Sequence, residues 1–291
     1  FFIYNILINI LILISPIIVL LRIINNKEDK IRFKEKISIS KIDFPKNKRV
    51  FWIHAASIGE TNSVFPLISK LVKDNDNIFI LLTSTTLSSS ELIKKKKLNK
   101  NNIQHHFFPL DVQFLVKKFI NYWKPEMVIF VDSEVWPNYL IEISQRKIPL
   151  ILLNGRITMK TFKRWKFVSR LSLKLFGLYD LCLSSSKESE KNLKSLGAKT
   201  VKFIGNLKFC TKINTEKRYI ELRSIFDKHN IWCAASTHPG EEEIILKTHT
   251  LIKQKGFKII TIIIPRHIYR SKEINKISNN LNIKSQIVSK F

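Results

Sequence analysis

In "VFWIHAASIGETNSVFPLISKLVK" (50–73) an apolar run gives way to His54-Ala-Ala-Ser-Ile-Gly-Glu60, and then to helical periodicity. Gly59 is read as a tight turn out of a strand, and Thr61, Asn62 and Ser63 are all good helix N-cap types. Glu60 then stands beside a helix start, where the macrodipole favours negative charge. A carboxylate held there and facing a cleft suits a general base that takes a proton from an attacking hydroxyl. The same residues also describe a carboxylate that only caps its own helix. Residue types alone leave both readings open.

Further ionisable groups follow other apolar runs. "VDSEVWPN" (131–138) supplies Asp132 and Glu134 two apart, with Pro137 set to open a helix. With no His or third acid at ligand spacing, a metal site is not indicated. "GNLKFC" puts Lys208 after a Gly-Asn turn, where it is either a solvated charge or a phosphate holder. "STHPGEEE" (236–243) offers Ser236, Thr237, His238 and backbone N–H groups at a helix start, a ready anion site. "PRH" (265–267) ends an apolar run with Arg266, whose planar guanidinium suits bidentate phosphate recognition, and His267. Neither a P-loop pattern nor a G-x-G-x-x-G occurs, so those nucleotide-binding readings fail.

The elements that must position these groups repeat one pattern: apolar run, polar cluster, helical periodicity. The runs lie at 50–55, 78–82, 127–131, 149–153, 178–183, 201–204, 231–235 and 258–264. Continuous β-branched runs between helical segments predict parallel strands covered on both faces, an α/β fold. In such sheets ligands bind beyond the carboxyl ends of the strands, where these polar clusters fall, and their succession predicts one continuous cleft. Val64, Leu67, Ile68, Leu71 and Val72 form one stripe, with Pro66 tolerated in the first turn. "EEEIILKTHTLIKQKG" has acids in its first turn and Gly256 after its last. A polar, charge-rich stretch at 209–230 breaks the pattern, giving a first Rossmann-like domain over 25–210 and a partial second one over 211–291.

Residues 1–24 read as a membrane anchor: apolar residues run almost unbroken to Arg22. The basic cluster that follows (Arg22, Lys27, Lys30, Arg32, Lys34, Lys36) leaves the rest of the chain in the cytosol by the positive-inside rule. A signal peptide fits poorly, lacking a charged n-region and a small-residue cleavage site. Asn5, Asn9, Ser15 and Pro16 also permit a segment lying partly in the interface. Fifty Lys+Arg against 23 Asp+Glu give a net charge of +27, which fits an anionic partner or a general Lys- and Ile-rich bias. No nucleic-acid-binding pattern is present. Cys182, Cys210 and Cys233 show no C-x-x-C spacing and indicate a reducing compartment; Cys182 and Cys233, inside apolar runs, are expected in the core.

In this order, "HAASIGE", "EVWPN", "NGRIT", "GNLKF", "STHPGEEE" and "IPRH" behind an apolar N-terminus resemble the Kdo transferases. These are inverting glycosyltransferases of GT-B fold that move 3-deoxy-D-manno-octulosonic acid onto lipid A. The resemblance runs from the anchor to about residue 270. It implies two Rossmann-like domains, CMP-Kdo as donor, a lipid A precursor as acceptor, no cofactor and no metal. It also implies a place on the cytoplasmic face of the inner membrane, against anionic lipids. Matched motif by motif, Glu60 is the general base and Lys208 the lysine that steadies the departing phosphate. Asp132 and Glu134 stand where the family has Glu-x-Glu, the first acid one methylene shorter here. Ser57, Gly59, Ser236, Thr237, His238, Arg266 and His267 fall in substrate- and CMP-binding positions. The family continues past Phe291 with a Gly-Gly-His-Asn segment, so a fragment, or a truncated and inactive remnant, is one expectation. Another nucleotide-sugar enzyme on the same sheet, such as an epimerase, is the rival, and a nucleic-acid binder comes third.

Overall fold

The computed structural model describes residues 2–37, 47–96, 102–210 and 229–288. The chain divides into two compact units, Phe1–Lys212 and Ile213–Phe291. Most of the polar stretch at which sequence reading places the domain boundary (211–228) lies outside the described residues.

The first unit opens with α1 (Phe2–Ile24) and a 3₁₀ turn (Arg32–Lys36). Strands and helices then alternate: β1 (Arg49–His54), α2 (Ile58–Asp74), β2 (Ile78–Ser84), α3 (Leu87–Lys95), β3 (Ile103–Phe107), α4 (Gln113–Trp123), β4 (Met127–Val131) and α5 (Pro137–Gln145). They continue through β5 (Leu150–Gly155), α6 (Met159–Phe167), α7 (Ser169–Phe176), β6 (Leu181–Ser184), α8 (Lys187–Ser195), β7 (Val201–Phe203) and a 3₁₀ turn (Leu207–Cys210). The seven strands form one sheet in the order β3-β2-β1-β4-β5-β6-β7, every pair parallel.

Both faces of this sheet are covered, which is why its strands are apolar without alternation. Val50 and Trp52 of β1 join a core with Phe119, Trp123, Phe130, Tyr139 and Phe176 on one face. Phe51 and Ile53 join Val64, Ile68, Ile80 and Leu82 on the other. Each such side chain is worth roughly 1.5–3 kcal/mol of burial.

Three findings depart from the sequence reading. First, β3 is a strand in "IQHHF", which no apolar run marks. It is an edge strand shielded by the Arg32–Lys36 turn: the Phe107 N–H donates to Glu35 Oε2 at 2.8 Å, and Arg32 donates to the His105 carbonyl at 3.0 Å. Second, part of the basic cluster is committed to buried ion pairs. Glu28 pairs with Arg22 at 2.9 Å and Lys36 at 2.8 Å, and Glu35 pairs with Arg32 at 2.6 Å. Third, α1 is tied to the unit at its N-terminal end, and the turn that follows it is tied as well. The Tyr4 hydroxyl donates to Asp111 at 2.6 Å and Asn138 Nδ2 to Asn5 at 2.9 Å, while the Lys36 ammonium reaches the Thr85 carbonyl at 3.1 Å.

The second unit holds β8 (Asn230–Thr237) paired in parallel with β9 (Ile259–Pro265), and α9 (Glu241–Gln254) and α10 (Ser271–Asn280). Its strands are not covered on both faces among the described residues: Ile231 and Ile264 are exposed. Cys233 is accordingly exposed rather than a core residue, whereas Cys182, within the seven-stranded sheet, is buried. Burial pushes the Cys182 thiol up to about 12, which keeps it unreactive.

Candidate active site

In the first unit the strand order reverses between β1 and β4, and that topological switch point opens the crevice in which such sheets bind ligands. His54 ends β1 and Glu60 follows it, while Asp132 and Glu134 follow β4. Asn154 and Arg156 lie at the end of β5, and Lys208 in the turn after β7.

Glu60 stands one turn deeper in α2 than the sequence reading places it. The N-cap is Ser57, whose hydroxyl oxygen accepts from the Glu60 N–H, and the Glu60 carboxylate reaches back to close a capping box. Glu60 Oε2 accepts from the Ala56 N–H at 2.8 Å and the Ser57 N–H at 3.4 Å, and Oε1 accepts from the Ser57 hydroxyl at 2.7 Å. Gly59 is therefore helical and not a tight turn. A Cβ at 59 would stand 4.0 Å from both Cε and Nζ of Lys208, so this turn of the helix lies at ordinary contact distance from that side chain. The lysine stem lies over the first turn of α2, and the Leu207 N–H donates to Asn154 Oδ1 at 2.9 Å, holding its turn against β5.

Asp132 adopts φ +70° and Asn154 φ +57°, the left-handed region in which short polar side chains are the tolerated non-glycine residues. The bend is pinned by the Asp132 N–H donating to the Leu153 carbonyl at 2.9 Å and the Arg156 N–H to the Asp132 carbonyl at 3.3 Å. Burial, and then the nearby Glu60 charge, push the Asp132 carboxyl up to about 6, against the pull of Arg156 and Lys208; Glu134 adds to the rise. These groups share one electrostatic field. The Asp132 Oδ1 atom is buried without a hydrogen-bond partner.

Glu134 is held from three sides. Trp136 Nε1–H donates to its carboxylate, the Tyr179 hydroxyl donates to its backbone carbonyl, and His54 Nε2 lies 3.4 Å from Oε2. Beneath it, Trp52 Nε1–H donates to the Thr83 hydroxyl at 2.9 Å, and Thr83 Oγ1 lies 2.9 Å from His54 Nδ1. An indole can only donate, so Thr83 Oγ1 accepts from Trp52 and its own O–H donates a hydrogen bond to Nδ1, while Nε2 has no hydrogen-bond partner among the described residues. The imidazole then carries its proton on Nε2, facing Glu134. His54 is fully buried and stacks on Phe108 at 3.9 Å. Sequence reading missed His54, Thr83, Asn154 and Arg156 as site residues. The available signals were the His at the head of the glutamate motif and the Asn-Gly-Arg at a strand end.

A second constellation belongs to the second unit. β8 and β9 end together, with Thr237 opposite Pro265, which brings Ser236, Thr237 and His238 beside Arg266 and His267. Arg266 and His267 are exposed, and His267 stacks on Tyr269 at 5.4 Å. Thr237 is buried and its hydroxyl donates to Glu242 at 2.7 Å; the His238 N–H donates to Glu241 at 2.8 Å. The helix start thus carries its own carboxylates. Arg270, unmarked in the sequence reading, is buried and donates to Glu242 at 2.6 and 3.2 Å.

A doubly covered parallel sheet with acids at its switch point, and a separate second unit with a parallel strand pair, place the chain in the α/β class with a GT-B-like fold. Among solved structures the chain is similar in fold to UDP-GlcNAc 2-epimerase from Neisseria meningitidis bound to UDP-GlcNAc, with a TM-score of 0.57 and 15% identity, covering 84% of this chain and 73% of that one. It is similar also to UDP-GlcNAc 2-epimerase from Methanocaldococcus jannaschii, at TM-score 0.53 and 14% identity over 82% of this chain and 74% of the other. Identity at that level shows the GT-B-like fold alone.

Sequence comparison is more specific. The profile of the family 3-Deoxy-D-manno-octulosonic-acid transferase (kdotransferase) matches residues 31–211, and the chain belongs to that family of glycosyltransferases. The 3-deoxy-D-manno-octulosonic acid transferase of Rickettsia bellii is 32% identical over 89% of this chain and 61% of its own length. That of Rickettsia felis is 34% identical over 81% and 51%, and that of Haemophilus influenzae 30% over 74% and 51%. The chain thus spans between half and six-tenths of the length of these relatives.

Proposed function

We propose that this polypeptide carries out Kdo transfer from CMP-Kdo to a lipid A precursor, in lipopolysaccharide core biosynthesis, by one inverting displacement. The observation that carries the reading is the meeting of Glu60, Asp132, Glu134 and Lys208 at the β1–β4 switch point. Glu60 takes the proton from an acceptor sugar hydroxyl, which attacks the anomeric carbon as CMP leaves. Asp132 and Glu134 lie where positive charge develops on an oxocarbenium-like centre. Lys208 offsets charge growing on the departing phosphate, a contribution on the order of 3 kcal/mol for a well-placed donor. Ser57 orients Glu60, and Gly59 lies at ordinary contact distance from Lys208. In the second unit Ser236, Thr237, His238, Arg266 and His267 are the residues that bind CMP, with Arg266 and His267 the groups open to a phosphate.

The apolar helix α1 is long and apolar enough to cross a bilayer. The bonds from Tyr4 and Asn5 to the sheet domain favour a helix lying along the membrane, with the catalytic part on the cytoplasmic face of the inner membrane.

Two variants separate base from cap. Ser57→Ala removes one half of the capping box and keeps the Glu60 carboxyl group; Glu60→Gln keeps the shape and removes the base. In membranes supplied with CMP-Kdo and tetra-acylated lipid A precursor, Glu60→Gln abolishes transfer while CMP binding persists, and Ser57→Ala retains most of it. Equal activity of the two variants refutes the base assignment. Labelled sugar recovered as a free epimer, with none on lipid, returns the epimerase reading.

A further inference from the structure

Between β5 and β6 the chain leaves the site at Arg156 and enters α6, bends at Val168 into α7, and returns to the sheet. Residues 156–174 contain seven cations (Arg156, Lys160, Lys163, Arg164, Lys166, Arg170, Lys174) and no acid. The inner face of this hairpin is committed to the core: Leu175 and Phe176 are buried, with Phe162, Trp165 and Leu171 packed alongside. Its outer face is not. Phe167 is 92% exposed at the bend, beside Val168 at 41%, with Leu173 at 54%.

A phenyl ring left in water at the tip of a folded hairpin, ringed by cations, is poorly explained by the fold. The combination of basic flanks and a projecting apolar tip is how a protein surface engages an anionic bilayer: cations meet lipid phosphates, and the apolar tip enters the acyl boundary. The hairpin also begins at the site, since Arg156 shares the electrostatic field of Asp132 and α6 starts three residues later. Its nine residues place the bend about 14 Å along the helix from that start.

We propose that the α6–α7 bend is a second membrane contact, separate from α1, in which Phe167 and Val168 insert among anionic phospholipids while Lys163, Arg164, Lys166 and Arg170 bind their phosphates. It rests on the reading that the enzyme works on a lipid-borne acceptor, and it assigns the bend to holding the site at headgroup depth.

The test uses the whole chain with α1 intact and vesicles free of any acceptor, so its outcome is independent of transferase activity. With Cys210 and Cys233 replaced by Ser, Phe167→Cys is labelled with an environment-sensitive fluorophore. On vesicles containing 30% phosphatidylglycerol the label shifts to the blue, is quenched by doxyl-labelled acyl chains and escapes aqueous iodide. A label fully open to iodide on vesicle-bound protein overturns the proposal. A second arm measures partitioning. Each cation near an anionic surface contributes about fivefold, so Lys163→Ser/Lys166→Ser/Arg170→Ser lowers binding about 100-fold. Lys70→Ser/Lys73→Ser/Lys95→Ser, which removes equal charge from α2 and α3 on the opposite face of the sheet, changes it far less. Equal loss in the two triple variants means diffuse charge rather than a docking surface, and also overturns it.

Discussion

Asp132 gives the sharpest test of the charge arrangement, because its perturbation has a sign. Its carboxyl is raised from 3.8 to about 6, so the native state binds the proton more tightly than the unfolded chain does. That preference stabilises the fold fully below pH 3.8 and is lost as pH rises through about 6. A rise of about two pH units is nominally about 3 kcal/mol; the group is partly open to solvent, and screening reduces this to about 1–2 kcal/mol. Asp132→Asn removes the titration while keeping a residue type that tolerates the φ of +70°. The variant is therefore expected to exceed the wild type by about 1–2 kcal/mol at pH 8, and by about a third of that at pH 4.5. For a unit of this size the pH 8 gain is a rise in Tm of about 2–8 °C. Urea unfolding followed by tryptophan fluorescence, with Trp232 of the second unit replaced by Phe, reads the first unit, which holds the other four tryptophans. A difference that does not grow with pH, or a variant less stable at pH 8, refutes the claim that burial and Glu60 strain this carboxylate. Raised stability with lost transfer is the pattern of a site held in a costly charge state for function.

Four further outcomes follow. Thr83→Val strips partners from Trp52 Nε1 and His54 Nδ1, both in fully buried residues; chemical denaturation should show a loss of about 1–3 kcal/mol per orphaned group, and transfer should fall in kcat more than in KM as Glu134 loses its footing. Ser57→Ala should cost about 1 kcal/mol in the same assay by removing the α2 cap. Gly59→Ala meets only ordinary contacts at 4.0 Å and should raise stability by about 0.5–1 kcal/mol, while Gly59→Leu should displace Lys208 and depress transfer without unfolding the protein. Glu242→Ala leaves Arg270 buried with only the rim residue Glu273, and limited proteolysis should cut the second unit first.

Much of this architecture is legible from residue order. Six of the seven strands of the first sheet stand out as apolar runs because both sheet faces are buried, which suppresses alternation. β3 escapes because an edge strand has one neighbour, so His105 and His106 can be tolerated there; burial holds both imidazoles below their ordinary range, that of His105 well below. Cys233 is misread for a related reason. An apolar run marks a strand, but whether a covering helix exists on each face depends on elements elsewhere in the chain. The helix start of α2 is displaced because Ser57, Thr61, Asn62 and Ser63 are all competent caps, and only the reciprocal bond to Glu60 selects the first. His54 and Thr83 are 29 residues apart and become partners through the β1–β2 register, which no local pattern encodes.

The two readings of Glu60, cap and base, do not compete once its geometry is counted. An ionised carboxylate offers about four lone-pair directions. Three are used here, by the Ala56 N–H, the Ser57 N–H and the Ser57 hydroxyl. In the proposed mechanism the remaining direction accepts from the acceptor hydroxyl. A base free to rotate would pay orientational entropy at each turnover, whereas one clamped by its own helix start is already aimed. The same clamp fixes where the carboxylate stands, because α2 is rooted at the end of β1, beside β4 and its acids. In this reading the capping box is the device that converts a flexible glutamate into a positioned base, and loosening it should lower the rate without abolishing it.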